Sequence, residues 1–142
     1  MAIGNLEVTL LTYTESKNRL TLDITNLQSQ KALAVAAQAD ANSIKAKDEE
    51  EVRRFFKALY EDDPEYKGKY SDYTQIPDFE EEMDKIAAKY NDELAELTAW
   101  ETALDNQITT KDAEIKEIEA YEQSFKSMLQ NNIQEDFKLG LG

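Results

Sequence analysis

The stretch 78-DFEEEMDKIAAKYNDELAELTAWETALDNQITTKDAEIKEIEAYEQSFKSMLQNNIQEDFK-138 decides the fold. Its apolar positions are Met83, Ile86, Tyr90, Leu94, Leu97, Trp100, Leu104, Ile108, Ile115, Ile118, Phe125, Leu129 and Ile133. Nearly all follow one another at steps of three or four, so they line one face of a helix, and no Pro or Gly interrupts them. Roughly 60 residues at about 1.5 Å each make a helix on the order of 90 Å long. A stripe this narrow cannot close a core by itself, so the sequence demands a second helix along its length.

The N-terminal half supplies it. Asn5 reads as an N-cap, with Glu7 near the positive end of the helix dipole. Leu6, Leu10, Tyr13, Leu20, Ile24 and Leu27 then form a stripe at steps of three, four and seven. A second row, Leu11, Leu22, Leu33, Ile44 and Phe55, recurs every 11 residues, a period near 3.67 per turn that keeps a row almost parallel to the axis of a straight helix. One partner helix does not need both rows, so the second predicts a lateral contact with another copy. Residues 32–41 contain six alanines, which admit a close neighbour or a large partner side chain. The cap-forming run Asp40-Ala-Asn-Ser43 predicts a kink or brief break before the helix resumes.

Asp63-Pro64 predicts a cap and first position of a short new helix that sets Tyr66, Tyr70 and Tyr73 on one face over about three turns. Asp78 and Glu81 predict a capping box opening the long helix. The expected fold is therefore all-α: a long antiparallel two-helix hairpin, coiled-coil-like, with a short third helix at its tip. It is one elongated domain with arms at about 5–60 and 78–138 and a tip at about 61–77. Folding at Gly68–Lys69 sets residue i beside approximately 139 − i. That register, not fitted to the side chains, puts Ile24 beside Ile115, Leu20 beside Ile118 or Glu119, Leu10 beside Leu129 and Lys17 beside Glu122. It also places Trp100 opposite Ala39, large against small.

Composition narrows function. The 142 residues carry a formal net charge of −14 and contain neither cysteine nor histidine. Disulfides and thiolate metal sites are excluded, together with the usual general base and the commonest transition-metal ligand. The charge is uneven: residues 1–47 hold five basic and four acidic side chains, 48–82 five and thirteen, and 83–142 six and thirteen. Such a surface repels phosphate backbones and anionic lipid, so neither nucleic acid nor a membrane surface is an expected partner. No run reaches the 18 or so apolar residues of a membrane span, and the first residues lack the positive start of a Sec-type signal. The expected location is cytoplasmic, or the cell surface by a signal-less export route.

No catalytic, cofactor or metal constellation emerges, and the expectation is a protein that is not an enzyme and has no cofactor. A 12-residue calcium loop beginning at Asp63 would set Gly68 sixth, but Lys67 and Thr74 fall where oxygen ligands are required. Paired carboxylates would need a pocket to shift one pKa, and a two-helix hairpin offers little burial. Eight of thirteen aromatic residues crowd between Phe55 and Tyr90. They read as a satellite core joining the tip to both arms, with Tyr66, Tyr70 and Tyr73 as a candidate contact surface.

The closing residues, Asn132-Ile133-Gln134-Glu135-Asp136-Phe137-Lys138, resemble the tails of type III secretion needle subunits, which end in an Ile-Gln-x-Phe-basic pattern. Asp63-Pro64 is similar to the Asp-Pro turn of those hairpins, and the N-terminal helix resembles the terminal helices of flagellin-like and hook-associated proteins. The chain is longer than a needle subunit, and Leu-Gly-Leu-Gly follows its tail motif. The resemblance implies paired terminal helices that polymerise into a tube, exported without signal cleavage. The expected function is thus a self-assembling structural subunit of an extracellular helical filament. Leu6, Leu10, Leu11, Leu22, Leu33, Ile133, Phe137 and Leu139 would carry the self-association. The alternative is an intracellular coiled-coil adaptor or export chaperone that binds a partner through the spare apolar face.

Overall fold

The computed structural model describes the backbone of residues 2–141 and the side chains of residues 2–138. The fold is all-α, a helical hairpin: α1 (Ile3–Asp62), α2 (Pro64–Lys69), a 3-10 turn (Tyr73–Gln75) and α3 (Pro77–Leu141), with no strand among the described residues. By its internal contacts the chain forms two compact units, each built from both long helices. The terminal unit comprises residues 1–31 and 103–142, and the turn unit residues 32–102. The two units divide α1 and α3 between them.

Within each unit the buried and half-buried positions of α1 follow a seven-residue repeat. In the terminal unit they include Leu6, Leu10, Tyr13, Lys17, Leu20, Ile24, Leu27 and Lys31. Ala34, Gln38, Ala41, Lys45, Asp48 and Val52 carry the same rhythm through the turn unit. On α3 the matching series is Leu104, Ile108, Lys111, Ile115, Ile118, Glu122, Phe125 and Leu129 in the terminal unit. This is the 3.5-residue period of helices wound around one another. Polar side chains occupy many seam positions, and most meet across it: Lys17 Nζ lies 2.9 Å from Glu122, Lys31 2.8 Å from Asp105 and Lys111 3.5 Å from Asp23. In the turn unit Gln38 donates to Glu101 at 2.7 Å, and the Tyr90 hydroxyl donates to Asp48 at 2.5 Å. The pairs Lys17–Glu122 and Gln38–Glu101 satisfy the 139 − i register, one in each unit.

Four local expectations are corrected. The first helix starts at Ile3 rather than after an Asn5 cap, with the Leu6 amide donating to Ala2. It runs unbroken through Asp40–Ser43. There the cap-forming side chains are outweighed by packing, since Ala34 and Ala41 are buried and Gln38 is bonded across the seam. The long C-terminal helix opens at Pro77, and the Phe79 amide donates to Ile76, so Asp78 lies inside its first turn and does not cap it. Finally, Trp100 is 41% exposed. Its register is right but its facing is wrong: Gln38 and Glu101 hold the seam at that level, leaving Ala39 and Trp100 one residue to the side.

The turn obeys its chemistry closely. Pro64 cannot continue α1 and forces the residue before it out of the helical region. Asp63 is extended at φ −112° and ψ 111°, and its carboxylate accepts from the Glu65 amide at 2.9 Å. The new helix stops at Lys69, shorter than expected, with Tyr70 extended behind it. Tyr60 Oη donates to the Tyr70 carbonyl at 3.0 Å, fastening the turn to α1. Asp72 then accepts from the Tyr73 amide at 2.7 Å and opens the 3-10 turn, and Ile76 is buried just ahead of Pro77.

Candidate functional site

Among the described residues nine apolar side chains are buried, whereas twelve large ones are exposed. The surfaces left outside the seam are therefore the candidates for function. No group of three or more residues able to hold a metal occurs among the described residues, and no helix is long and apolar enough to cross a membrane.

In the terminal unit Val8, Leu11 and Leu22 are exposed on α1, and Tyr121, Met128, Ile133 and Phe137 on α3. Of the residues expected to carry self-association, Leu11, Leu22, Ile133 and Phe137 are thus open, and Leu33 is open in the turn unit. Leu6 differs: it is fully buried within its own chain. Leu10 is half-buried in the seam, and the side chain of Leu139 lies outside the described residues. The Tyr13 ring stacks on Tyr121 at 6.3 Å and meets Phe125 edge-on at 5.6 Å. Seam and surface therefore join through an aromatic cluster.

All five members of the 11-residue row are between 51% and 65% exposed, as expected of positions that the seam does not use. They nevertheless do not share one face. Against a seam that repeats every seven residues, eleven residues make three turns plus about 51°. Within each unit the row therefore drifts around α1 relative to the seam, from Leu11 to Leu22 in the terminal unit, and from Leu33 through Ile44 to the seam's edge at Phe55 in the turn unit.

The row reaches that edge in the turn unit, at a groove of about 730 Å³ between α1 and α3. Val52, Phe55, Leu59 and Ile86 give its apolar lining. Five carboxylates, Asp48, Glu51, Asp78, Glu81 and Glu82, rim it alongside Lys85 and Lys89. A change in the seam accounts for the opening. The buried and half-buried positions of α1 step 48, 52, 56, and those of α3 step 86, 90, 94, two consecutive fours in place of four and three. Such a pair of steps locally unwinds a coiled coil. Below the groove Phe56 is buried, with its ring edge-on to Phe55 at 5.3 Å and to Phe79 at 5.6 Å. Tyr73 closes this cluster on Phe79 at 5.5 Å. Tyr73 thus serves the satellite core. Tyr66 and Tyr70 stack on each other at 6.1 Å, half-buried, with Lys69 Nζ over the Tyr70 ring.

The electrostatics of the groove are those of a wet carboxylate rim. Lys85 Nζ lies 3.1 Å from Glu82 and 3.9 Å from Glu81, and the Glu82 hydrogen bond holds its ammonium above the ordinary lysine value. Tyr90 is raised because its hydroxyl donates to Asp48, and burial adds to the shift. Neither arrangement offers a base or nucleophile poised near neutral pH. The α3 half of the groove's signal, Ile86, Tyr90 and Leu94 at steps of four, stands in the sequence, but the matching α1 step becomes visible only once polar Asp48 is recognised as a seam residue.

No protein-family profile, curated protein or solved structure matches the chain.

Proposed function

We propose that the protein is a self-associating structural subunit whose contacts between copies are made by the exposed apolar positions of the terminal unit. The observation that carries this reading is the exposure of Leu11, Leu22, Ile133 and Phe137 beside a seam already filled by the chain's own helices. Ile133 and Phe137 lie four residues apart and so share one face of α3. Exposed apolar area is removed from water by association at about 25 cal/mol per Å². The resemblance of the 132–138 tail to helical filament subunits points the same way, toward an open polymer.

The decisive experiment is sedimentation velocity of the full chain over a range of concentrations, with negative-stain microscopy of the same samples. Full-length protein is expected to form polymers or large oligomers. Leu11→Ser combined with Phe137→Ser should return it to monomer with unchanged helicity by circular dichroism, because both side chains lie outside the seam. A full-length protein that stays monomeric at every concentration overturns the proposal.

A further inference from the structure

The groove in the turn unit has no role in self-association through the termini. We infer that it docks a basic amphipathic helix of another protein, one carrying apolar residues at i, i+3 or i+4, and i+7, flanked by Lys or Arg. Three observations fix that chemistry. First, the two walls, residues 48–59 of α1 and 78–89 of α3, are each 12 residues long, so the groove runs for about 17 Å, three turns of a docked helix. Second, its mouth is hydrophobic where water should be unwelcome. Phe55 is 64% exposed, yet its ring is seated on buried Phe56, a rigid anchor of the kind that helix-in-groove recognition uses.

Third, the rim selects the sign of the partner. Five carboxylates against two lysines give the lining a net charge of −3. Lys85 is already engaged by Glu81 and Glu82, and Lys89 lies 5.1 Å over the Tyr90 ring. Glu51 and Asp78 line the groove and form no ion pair within 4.0 Å among the described residues, though Asp78 adds to the field at Lys85. An acidic amphipathic helix could cover Phe55 but would set carboxylate against carboxylate, and a neutral one would leave the rim without a counter-charge. A second copy of this chain, at a formal net charge of −14, is disfavoured for the same reason.

The test uses the full chain and two labelled peptides of about 18 residues, five helical turns. One is an amphipathic leucine–lysine helix, and the other is the same pattern with glutamate for lysine. Fluorescence anisotropy at about 150 mM salt limits long-range attraction. The leucine–lysine peptide is expected to bind saturably at one site per chain, and the leucine–glutamate peptide not to bind. Phe55→Ala should weaken binding about tenfold. Glu51→Lys with Glu81→Lys should abolish it. Glu93→Lys with Glu96→Lys makes the same charge change at exposed positions away from the groove, and should leave affinity within about threefold. All these side chains are exposed, so the fold is expected to persist and is checked by circular dichroism. The inference is overturned if the leucine–lysine peptide fails to saturate, or if the two charge reversals act alike. It also falls if Phe55→Ala has no effect on the peptide but lowers self-association of the chain, in which case the groove takes a second copy. Because Leu11 and Phe137 lie in the other unit, failure here and failure of the terminal contacts are separately visible.

Discussion

Glu122 has two lysine partners, and they should differ in what they contribute. Lys17 reaches it across the seam at 2.9 Å, with side chains that keep only 25% and 12% of their exposure. Lys126 reaches the same oxygen from one turn away on α3 at 3.4 Å, but is itself 59% exposed. Lys17→Met leaves a nearly buried carboxylate without its cross-seam donor. A fully buried pair broken in this way loses about 3–5 kcal/mol, and a hydrogen bond to a charged group is worth about 1.5–3 kcal/mol. With partial solvation and Lys126 still near, the expected loss is about 1–2 kcal/mol. Lys126→Met removes an exposed pair within one helix and should cost less than about 0.5 kcal/mol. Replacing both seam partners, Lys17→Leu with Glu122→Leu, should restore stability to about the native level, since an apolar pair needs no desolvation.

The pH dependence provides an independent check. The Lys17 hydrogen bond is the main cause that lowers the Glu122 pKa; burial opposes it and the Lys126 charge assists. A carboxylate depressed in the folded state contributes stability above its unfolded pKa of about 4.3, and loses it as pH falls through the depressed folded value. The difference between native protein and Lys17→Met should therefore be full at pH 7 and shrink in strongly acidic solution. Urea unfolding followed by circular dichroism at both pH values measures it. Equal stability of native protein and Lys17→Met at pH 7 would refute the reasoning, as would a Leu–Leu variant no more stable than the single one.

Leu104 is buried at the seam, so Leu104→Ala should cost about 2–4 kcal/mol in urea unfolding, whereas exposed Val8→Ala should change stability by less than about 0.5 kcal/mol. Gly68 lies within α2 without positive φ, and a Cβ there meets nothing within 4 Å; Gly68→Ala should stabilise by about 0.5–1 kcal/mol, read as a higher thermal midpoint. Trp100 should be readily quenched by acrylamide in the folded protein, and a fully protected indole would contradict its position beside the seam.

The sequence by itself determined the helices, their ends at Asp63-Pro64 and the register. Periodicity and proline are local properties, and the spacing of Lys17 from Glu122 follows from where the chain turns. The same local reasoning extended helix α2 too far and opened α3 one residue late, because it weighed cap propensities without the bonds that Tyr60 and Ile76 make. It also predicted a break at Asp40–Ser43 that continuous packing on one side of α1 overrides. What only the tertiary structure decided is which face of each helix is inside. Lys31, Gln38, Lys45 and Asp48 look like surface residues in a list of polarities, so the stripe was lost after Leu27. They keep the seam's repeat, and three of them meet partners on the other helix: Lys31 with Asp105 in the terminal unit, and Gln38 with Glu101 and Asp48 with Tyr90 in the turn unit. With the seam drawn through them, Trp100 moves out, and Phe55, the last member of the 11-residue row, comes to the edge of the groove. A side chain's burial depends on the partner helix it meets, and that is a relation between distant parts of the chain that no local pattern contains.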